Sequence, residues 1–72
     1  MIKSSNKNNV IQNAQDGDKV AQCQLGLWYK HGFVVAEKDI RQAYKWLRLS
    51  AEQGYRDAFR PAAEVIIEYS YS

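Results

Sequence analysis

Two stretches of the sequence share one spacing of small residues, and this repeat limits the folds open to the chain. Residues 14–21 read AQDGDKVA and residues 51–58 read AEQGYRDA, so both have the pattern Ala-x-x-Gly-x-x-x-Ala, and Ala51 follows Ala14 by 37 residues. A glycine just after a helix adopts the left-handed conformation that stops it. The alanine four residues later allows the next helix a close approach. The repeated pattern therefore predicts a repeat built from helical hairpins.

Capping residues mark the ends of two predicted helices between these glycines. Asp18 is expected to cap the first helix and Gly32 to end it, while Asp39 and Gly54 do the same for the second. Both helices carry an apolar stripe at the spacing that places residues on one face. The stripes are Ala21, Leu25, Trp28 and Tyr29 in the first helix, and Ile40, Ala43, Leu47 and Ala51 in the second.

The same pattern predicts part of a unit on each side of this hairpin. A third helix is expected from about Asp57 to Ser70, with an irregular start near Arg60, because a proline such as Pro61 is tolerated only in the first turn of a helix. A short helix is expected before Gly17. The predicted fold is all-α: a short αα-hairpin solenoid of three helices plus a short N-terminal helix. Residues 1–8 are expected to form a mobile lead-in and residues 9–72 a single domain, with one complete repeat at 18–54.

Composition narrows the class of protein. A hydrophobic share of 46% is that of a globular chain rather than a disordered one. Cys23 is the only cysteine, so no disulfide can form within the chain, and a reducing, cytoplasmic location is favoured. No apolar run is long enough to form a signal peptide or to cross a membrane. From residue 10 onward eight bases meet eight acids, so bulk charge gives no argument for a nucleic-acid partner.

The run LGLWYKHGFVVAEKDIRQAYKWLRLSAEQGYRDA, residues 25–58, resembles the Sel-one-like repeat, a relative of the tetratricopeptide repeat. The family's pattern places small, apolar and turn residues at fixed positions of a helical hairpin, and many of them recur in this chain. The matching residues are Ala21, Leu25, Gly26, Tyr29, Gly32, Val35, Asp39, Ala43, Trp46, Ala51, Gln53, Gly54 and Ala58. The resemblance implies a helical solenoid and a non-enzymatic adaptor that binds proteins.

The sequence departs from the family's pattern at several positions. Val34 stands in place of the second loop glycine, and Ser50 in place of the first alanine of a pair. In the third helix Ala62 and Ala63 stand where the pattern has Leu-Gly, so the last unit is degenerate, as terminal units often are. Some family members are secreted proteins with a cysteine pair in each repeat. The lone Cys23 does not match that branch.

The residue types needed for catalysis or metal binding do not come together in this pattern. Cys23 and the single histidine, His31, are eight residues apart on one helix, about 12 Å along its axis at about 1.5 Å per residue. They cannot pair as nucleophile and base within that helix. A structural zinc site needs four ligands, and no phosphate-binding glycine loop is present. The prediction is a protein that is not an enzyme and has no metal or cofactor.

Basic residues of the second predicted helix form a candidate docking site. Lys38, Arg41, Lys45 and Arg48 have helical spacing and define a single basic stripe. The favoured interpretation is a solvated face opposite the core, because surface charge usually contributes little more. The alternative is a docking strip for an acidic protein, which would speed association. A nucleic acid is less suited to the stripe because no exposed aromatic residue lies between the cations to stack with bases.

The predicted third helix has two apolar stripes. Ala58, Ala62, Val65 and Tyr69 are expected to pack on the second helix. The other stripe is expected to be buried between molecules, either in a two-fold homodimer through the C-terminal helix or against a target. The candidate protein-binding residues are Phe59, Ala63, Ile66, Ile67 and Tyr71. A comparable flank on the first helix, made of Val20, Cys23 and Leu27, is expected to be covered by the N-terminal segment.

These patterns leave three function classes open. The favoured one is a small protein–protein interaction module that binds one target and blocks it, as a bacterial or phage-encoded inhibitor or immunity-type protein would. The second is a structural subunit, or a fragment of a repeat array, that stacks with copies of itself. The third is a weak nucleic-acid binder that uses the basic stripe with Lys3 and Lys7. Affinity for nucleic acid should fall steeply with salt, and an inhibitor should co-purify with one protein, so these classes can be separated.

Overall fold

The computed structural model describes residues 7–33 and 37–71, and within these ranges every regular element is helical. Four α-helices follow one another, and a short 3₁₀ turn precedes the last of them. They are α1 (Lys7–Gln15), α2 (Lys19–His31), α3 (Ile40–Glu52), the 3₁₀ turn (Arg56–Ala58) and α4 (Phe59–Ser70). The predicted all-α fold of three helices plus a short N-terminal helix is confirmed.

The predicted N-caps of α2 and α3 are in place. The Asp18 carboxylate accepts hydrogen bonds from the backbone N–H groups of Val20 (2.9 Å) and Ala21 (3.4 Å). Asp39 accepts in the same way from Arg41 (3.1 Å) and Gln42 (3.3 Å). Both aspartates thus satisfy N–H groups that have no partner within the first turn of a helix.

Glycines in the left-handed region follow α1, α2 and α3. Gly17, Gly32 and Gly54 have φ angles of 101°, 73° and 85°. The N–H of Gly32 donates to the Trp28 carbonyl at 2.7 Å, and the N–H of Gly54 donates to the Ala51 carbonyl at 2.9 Å. The doubled Ala-x-x-Gly spacing, at Gly17 and Gly54, therefore marks the ends of α1 and α3.

Replacing Gly54 by valine is expected to lower the free energy of unfolding by about 1 kcal/mol or more, because a β-branched residue is strained at positive φ. A Cβ at this position meets no heavy atom within 4 Å, so backbone conformation alone sets the cost. Gly54→Asn, which tolerates this region better, is the matched control. Urea denaturation followed by circular dichroism measures both variants, and a valine variant as stable as the parent would contradict the assigned helix end.

The two ends of the chain show how far the predicted boundaries hold. α1 begins at Lys7, so the last two residues of the expected lead-in, 1–8, are helical. Residues 1–6, 34–36 and 72 lie outside the described residues. The irregular start predicted for the last helix is the 3₁₀ turn at Arg56–Ala58. Pro61 then falls in the first turn of α4, where its missing N–H removes no hydrogen bond of the helix.

Two apolar clusters form the core, and α2 contributes to both. The first joins α1, α2 and α3 through Val10, Ala14, Ala21, Leu25, Trp28 and Trp46. The second joins α2, α3 and α4 through Cys23, Ala43, Leu47, Ala58, Ala62 and Val65, with Leu27 packed against it. The expectation that the N-terminal segment covers the flank Val20, Cys23 and Leu27 is therefore wrong. Cys23 and Leu27 pack in the α4 cluster, and Val20 is exposed.

α2 and α3 approach each other closely at Gly26. A Cβ placed on Gly26 would lie 2.6 Å from the Leu47 Cγ and 3.1 Å from the Leu47 backbone nitrogen. Leu47 is fully buried, so its side chain has no free space into which to move. The glycine is therefore required by the distance between the two helices, although it costs helix propensity.

A polar network connects the two glycine turns. The buried Gln22 side chain donates from Nε2 to the Ala14 carbonyl (3.1 Å) and accepts at Oε1 from Gln53 Nε2 (2.9 Å). Gln53 Nε2 also donates to the Gly17 carbonyl at 2.9 Å. Ser50, fully buried, donates from Oγ to the Lys19 carbonyl at 2.7 Å. This hydrogen bond is the physical reason for serine where the family's pattern has alanine.

Candidate protein-binding surface

α4 presents one apolar stripe to the core and a second stripe to the outside. Ala58, Ala62 and Val65 are buried against α3, on which this stripe was predicted to pack, and also against Cys23 of α2. The second stripe is exposed: Phe59 retains 50% of its accessible surface, Ile66 46% and Ile67 58%. Ala63 lies exposed between them. We call Phe59, Ala63, Ile66 and Ile67 the outer face of α4.

Two tyrosines border this face differently. Tyr69 is part of the predicted core stripe, yet it stays 45% exposed, with its ring stacked on that of Tyr44 at 6.0 Å between centroids. Tyr71, predicted as a protein-binding residue, follows the end of α4 and is 87% exposed. Tyr71 therefore lies at the C-terminal edge of the outer face rather than within it.

The repeat gives the outer face an equivalent inside the fold. A shift of 37 residues, the distance from Ala14 to Ala51, places Phe59, Ala63 and Ile66 on Gln22, Gly26 and Tyr29 of α2. On α2 this is the side that receives α3, since Gly26 meets Leu47 there. The outer face of α4 is thus the counterpart of a surface on which another helix already packs.

Ion pairs hold the opposite side of α4 to the rest of the fold. Lys30 Nζ on α2 lies 3.2 Å from Glu64 Oε1, and Lys38 Nζ lies 3.1 Å from Glu68 Oε2. Lys38 was predicted as the first member of the basic stripe. It precedes α3 and is engaged with α4, so it does not continue the stripe along the helix.

The other three members of the predicted stripe, Arg41, Lys45 and Arg48, are exposed on α3. Arg48 Nε donates to Glu52 Oε2 at 2.8 Å, and this hydrogen bond raises the pKa of Arg48. The Arg48 guanidinium carbon lies 6.0 Å from the Tyr44 ring centroid. The same side of α3 lines a shallow groove of about 330 Å³, formed by Tyr44, Lys45, Arg48, Leu49 and Glu52.

The two residues considered for nucleophilic chemistry lie in different environments. Cys23 is buried in the α4 cluster, and burial, with the negative charge of Asp57, raises the pKa of its thiol. The thiolate is therefore disfavoured. His31 is exposed at the end of α2, stacked on Phe33 at 5.0 Å. Among the described residues, no three of the types His, Cys, Asp or Glu are grouped as a metal site would require.

The hairpin of α2 and α3 is also identified by a comparison with known protein families. The Sel1 repeat family model matches residues 19–55, just over half of the chain. The chain belongs to the Sel1 repeat family. The match begins at the first residue of α2 and ends just after Gly54, so the Sel1 repeat is the α2–α3 hairpin, with α1 and α4 on either side.

Sel1 repeats are generally protein–protein interaction modules, and the family is non-enzymatic. Searches of curated proteins and of solved structures each found no match. Among the described residues, no helix is both long enough and apolar enough to cross a bilayer. Membership of the family therefore indicates protein binding as the class of function.

Several residues that shape this Sel1 array were not singled out from the sequence. Gln22 joins the two turns, and Glu64 and Glu68 hold α4 to α2 and to the segment before α3. The sequence identifies Gln53 only as one of the residues that match the family's pattern. The available signal was position in the repeat, because Gln53 directly precedes Gly54 and Gln22 lies in the first turn of the helix that follows Gly17.

Proposed function

We propose that this chain is a small, non-enzymatic Sel1 module that acts by occupying a protein target, as an inhibitor or adaptor does, and that its binding surface is the outer face of α4. The supporting observation is the exposure of three large apolar side chains, Phe59, Ile66 and Ile67, on one side of a helix whose other sides are engaged. Contiguous exposed apolar surface rimmed by polar residues is typical of interaction sites.

The opposite end of the array is built differently. The 37-residue shift places Asn9 and Asn13 of α1 on Trp46 and Ser50 of α3, and both asparagines are exposed. The N-terminal end therefore has the polar outer surface that a terminal unit of a helical repeat needs. The outer face of α4 has no such surface, which supports the assignment of binding to the C-terminal end.

This difference also bears on the alternative of a self-assembling subunit. Head-to-tail stacking would lay α1 of one copy on α4 of the next, with the polar side chain of Asn13 against the apolar outer face. Burying amide side chains against apolar residues is costly without hydrogen-bond partners, so open stacking is disfavoured. A closed two-fold dimer through α4 remains the second candidate, because it would bury the same apolar side chains without using α1.

Other features of the chain favour a role without catalysis, a partner other than nucleic acid, and a cytoplasmic location. A buried thiol with a raised pKa and an exposed histidine stacked on Phe33 support a role without catalysis. Lys38 and Arg48 each have a carboxylate partner, which leaves less of the basic stripe for a phosphate backbone. The lone, buried Cys23 supports a reducing, cytoplasmic location.

Combining Phe59→Glu with Ile67→Lys is expected to abolish target binding and to leave the free energy of unfolding within about 0.5 kcal/mol of the parent, because both side chains are exposed. The measurements are affinity capture with mass spectrometry for the target and light scattering over about a hundredfold range of concentration for the dimer. The matched control, Val20→Glu with Phe33→Lys, changes two exposed apolar residues elsewhere.

The control variant, Val20→Glu with Phe33→Lys, should bind the target and should have the free energy of unfolding of the parent. A stable monomer that captures the same protein with and without the Phe59 and Ile67 substitutions would contradict the assignment of the outer face. Loss of helicity in the double variant would instead show that these side chains are buried in the folded protein, against the structure.

A further inference from the structure

We propose that the outer face of α4 and the exposed cations of α3 form one composite site, and that its occupant is an acidic amphipathic helix of a partner protein. This inference rests on the proposed function and names the chemistry of the partner. The apolar side of the bound helix would cover Phe59, Ala63 and Ile66. Its acidic flank would lie along Arg41, Lys45 and Arg48.

The stacked rings of Tyr44 and Tyr69 join the two halves of the site. Tyr69 follows Ile66 by three residues on α4, and Tyr44 lies three residues after Arg41 and four before Arg48 on α3. Residues at these spacings share one face of a helix. The two rings are stacked at 6.0 Å, and the Arg48 guanidinium carbon lies 6.0 Å from the Tyr44 centroid, so a chain of contacts runs from a cation of α3 to a residue of α4 that shares a face with Ile66.

A helix fits this surface because α2 already binds one through the equivalent residues. The equivalent of Gly26 is Ala63, so the middle of the outer face carries a small side chain, flanked by Phe59 and Ile66. A small residue between large ones allows a second helix to approach closely and be held on both sides. The expected occupant therefore repeats the apolar spacing of α3.

The charge around the site is positive on both flanks. Among the described residues, Arg41 and Lys45 have no carboxylate within 4.0 Å, and Arg48 has Glu52 alone. Arg56 and Arg60 are exposed at the start of α4. The acids of α4, Glu64 and Glu68, are engaged by lysines on its other side. An acidic helix complements this rim, whereas a second copy of the chain would bring the same cations against it.

The probe for the test is a fluorescent peptide with the sequence of residues 40–52 that carries Arg41→Glu, Lys45→Glu and Arg48→Glu. This peptide keeps the apolar stripe with which α3 packs on α2 and makes its outer flank acidic. The unsubstituted peptide of residues 40–52 is the matched control. Fluorescence anisotropy with the intact chain gives both dissociation constants at low and high salt, and amide chemical shifts locate the site.

The acidic peptide is expected to bind at least about fivefold more tightly than the control, with a preference that shrinks as salt screens the charges. Chemical shifts should move at Phe59, Ile66 and Arg48. Arg41→Gln with Arg48→Gln should remove the preference, while Lys7→Gln with Lys19→Gln, an equal change of charge elsewhere, should keep it. Phe59→Ser with Ile66→Ser should weaken both peptides.

Three outcomes of the peptide experiment would overturn the inference: no binding of the acidic peptide up to about 1 mM, equal binding of the two peptides, or chemical-shift changes confined to other surfaces. A two-fold dimer in light scattering that buries Phe59 and Ile67 would identify the occupant as a second copy and would also overturn it. If one of these results comes with loss of target capture in the Phe59→Glu, Ile67→Lys variant, the proposed function survives and only the acidic helix is wrong.

Discussion

Replacing Gly26 by alanine is expected to lower the free energy of unfolding by about 1–3 kcal/mol, although alanine favours a helix over glycine by about 1 kcal/mol. The added methyl would lie 2.6 Å from the Leu47 Cγ, and the Leu47 backbone nitrogen closes the space behind it at 3.1 Å. α2 and α3 would have to separate, which would disturb both core clusters. Gly26→Val should cost more, about 3 kcal/mol or above. Chemical denaturation followed by circular dichroism measures both changes.

Two further variants separate the close contact from a general effect on the helix. Gln24→Ala changes an exposed position of the same helix and should be neutral or slightly stabilising. In a Leu47→Ala background the cost of Gly26→Ala should shrink, because the clashing side chain has gone. If Gly26→Ala proved as stable as the parent, the approach of α2 and α3 would be wider than the structure shows.

The helix ends could be predicted from the sequence because their causes are local. An aspartate such as Asp18 or Asp39 caps a helix through N–H groups two and three residues away. A glycine such as Gly54 takes positive φ for a reason that lies within one residue. These requirements act over a few residues of chain, so the pattern of residue types is enough to place them.

The contacts between elements that are distant in the chain could not be predicted, because no local pattern specifies which residues meet. Gln53 reaches Gln22 across 31 positions, and Lys38 reaches Glu68 across 30. α2 has apolar residues on more than one side, and periodicity does not show which neighbour covers each side. For this reason the sequence wrongly predicts that the N-terminal segment covers Cys23, whereas Cys23 packs in the cluster with α4.

The candidate site could be predicted only in part. The spacing of Phe59, Ala63 and Ile66 separates them from the core stripe, and all three side chains are exposed. The link to the cations of α3 depends on the stacking of Tyr44 and Tyr69, a contact between two helices that no local pattern encodes. The sequence therefore predicts two candidate surfaces, and the contact between Tyr44 and Tyr69 joins the two helices that carry them.

Trp28→Ala is expected to be the most damaging single truncation, with a loss of about 3–5 kcal/mol. Trp28 is buried in the first cluster with Trp46 and residues of α1. At about 0.05–0.15 kcal/mol per residue, a chain of this length has a total stability of about 4–11 kcal/mol. The variant should therefore populate unfolded molecules without denaturant. The residual near-ultraviolet circular dichroism and the urea midpoint measure the loss.

The position of Trp28 also predicts where the structure should loosen first. α1 has nine residues and docks on the cluster through Val10 and Ala14, and a helix this short is not stable alone in water. Its amides should lose hydrogen-exchange protection in Trp28→Ala before those of α4, which packs in the other cluster. Trp28→Phe should retain most of the protection, and Tyr71→Ala, at a site 87% exposed, should change nothing. Equal loss of protection in α1 and α4 would mean that the two clusters unfold as one unit.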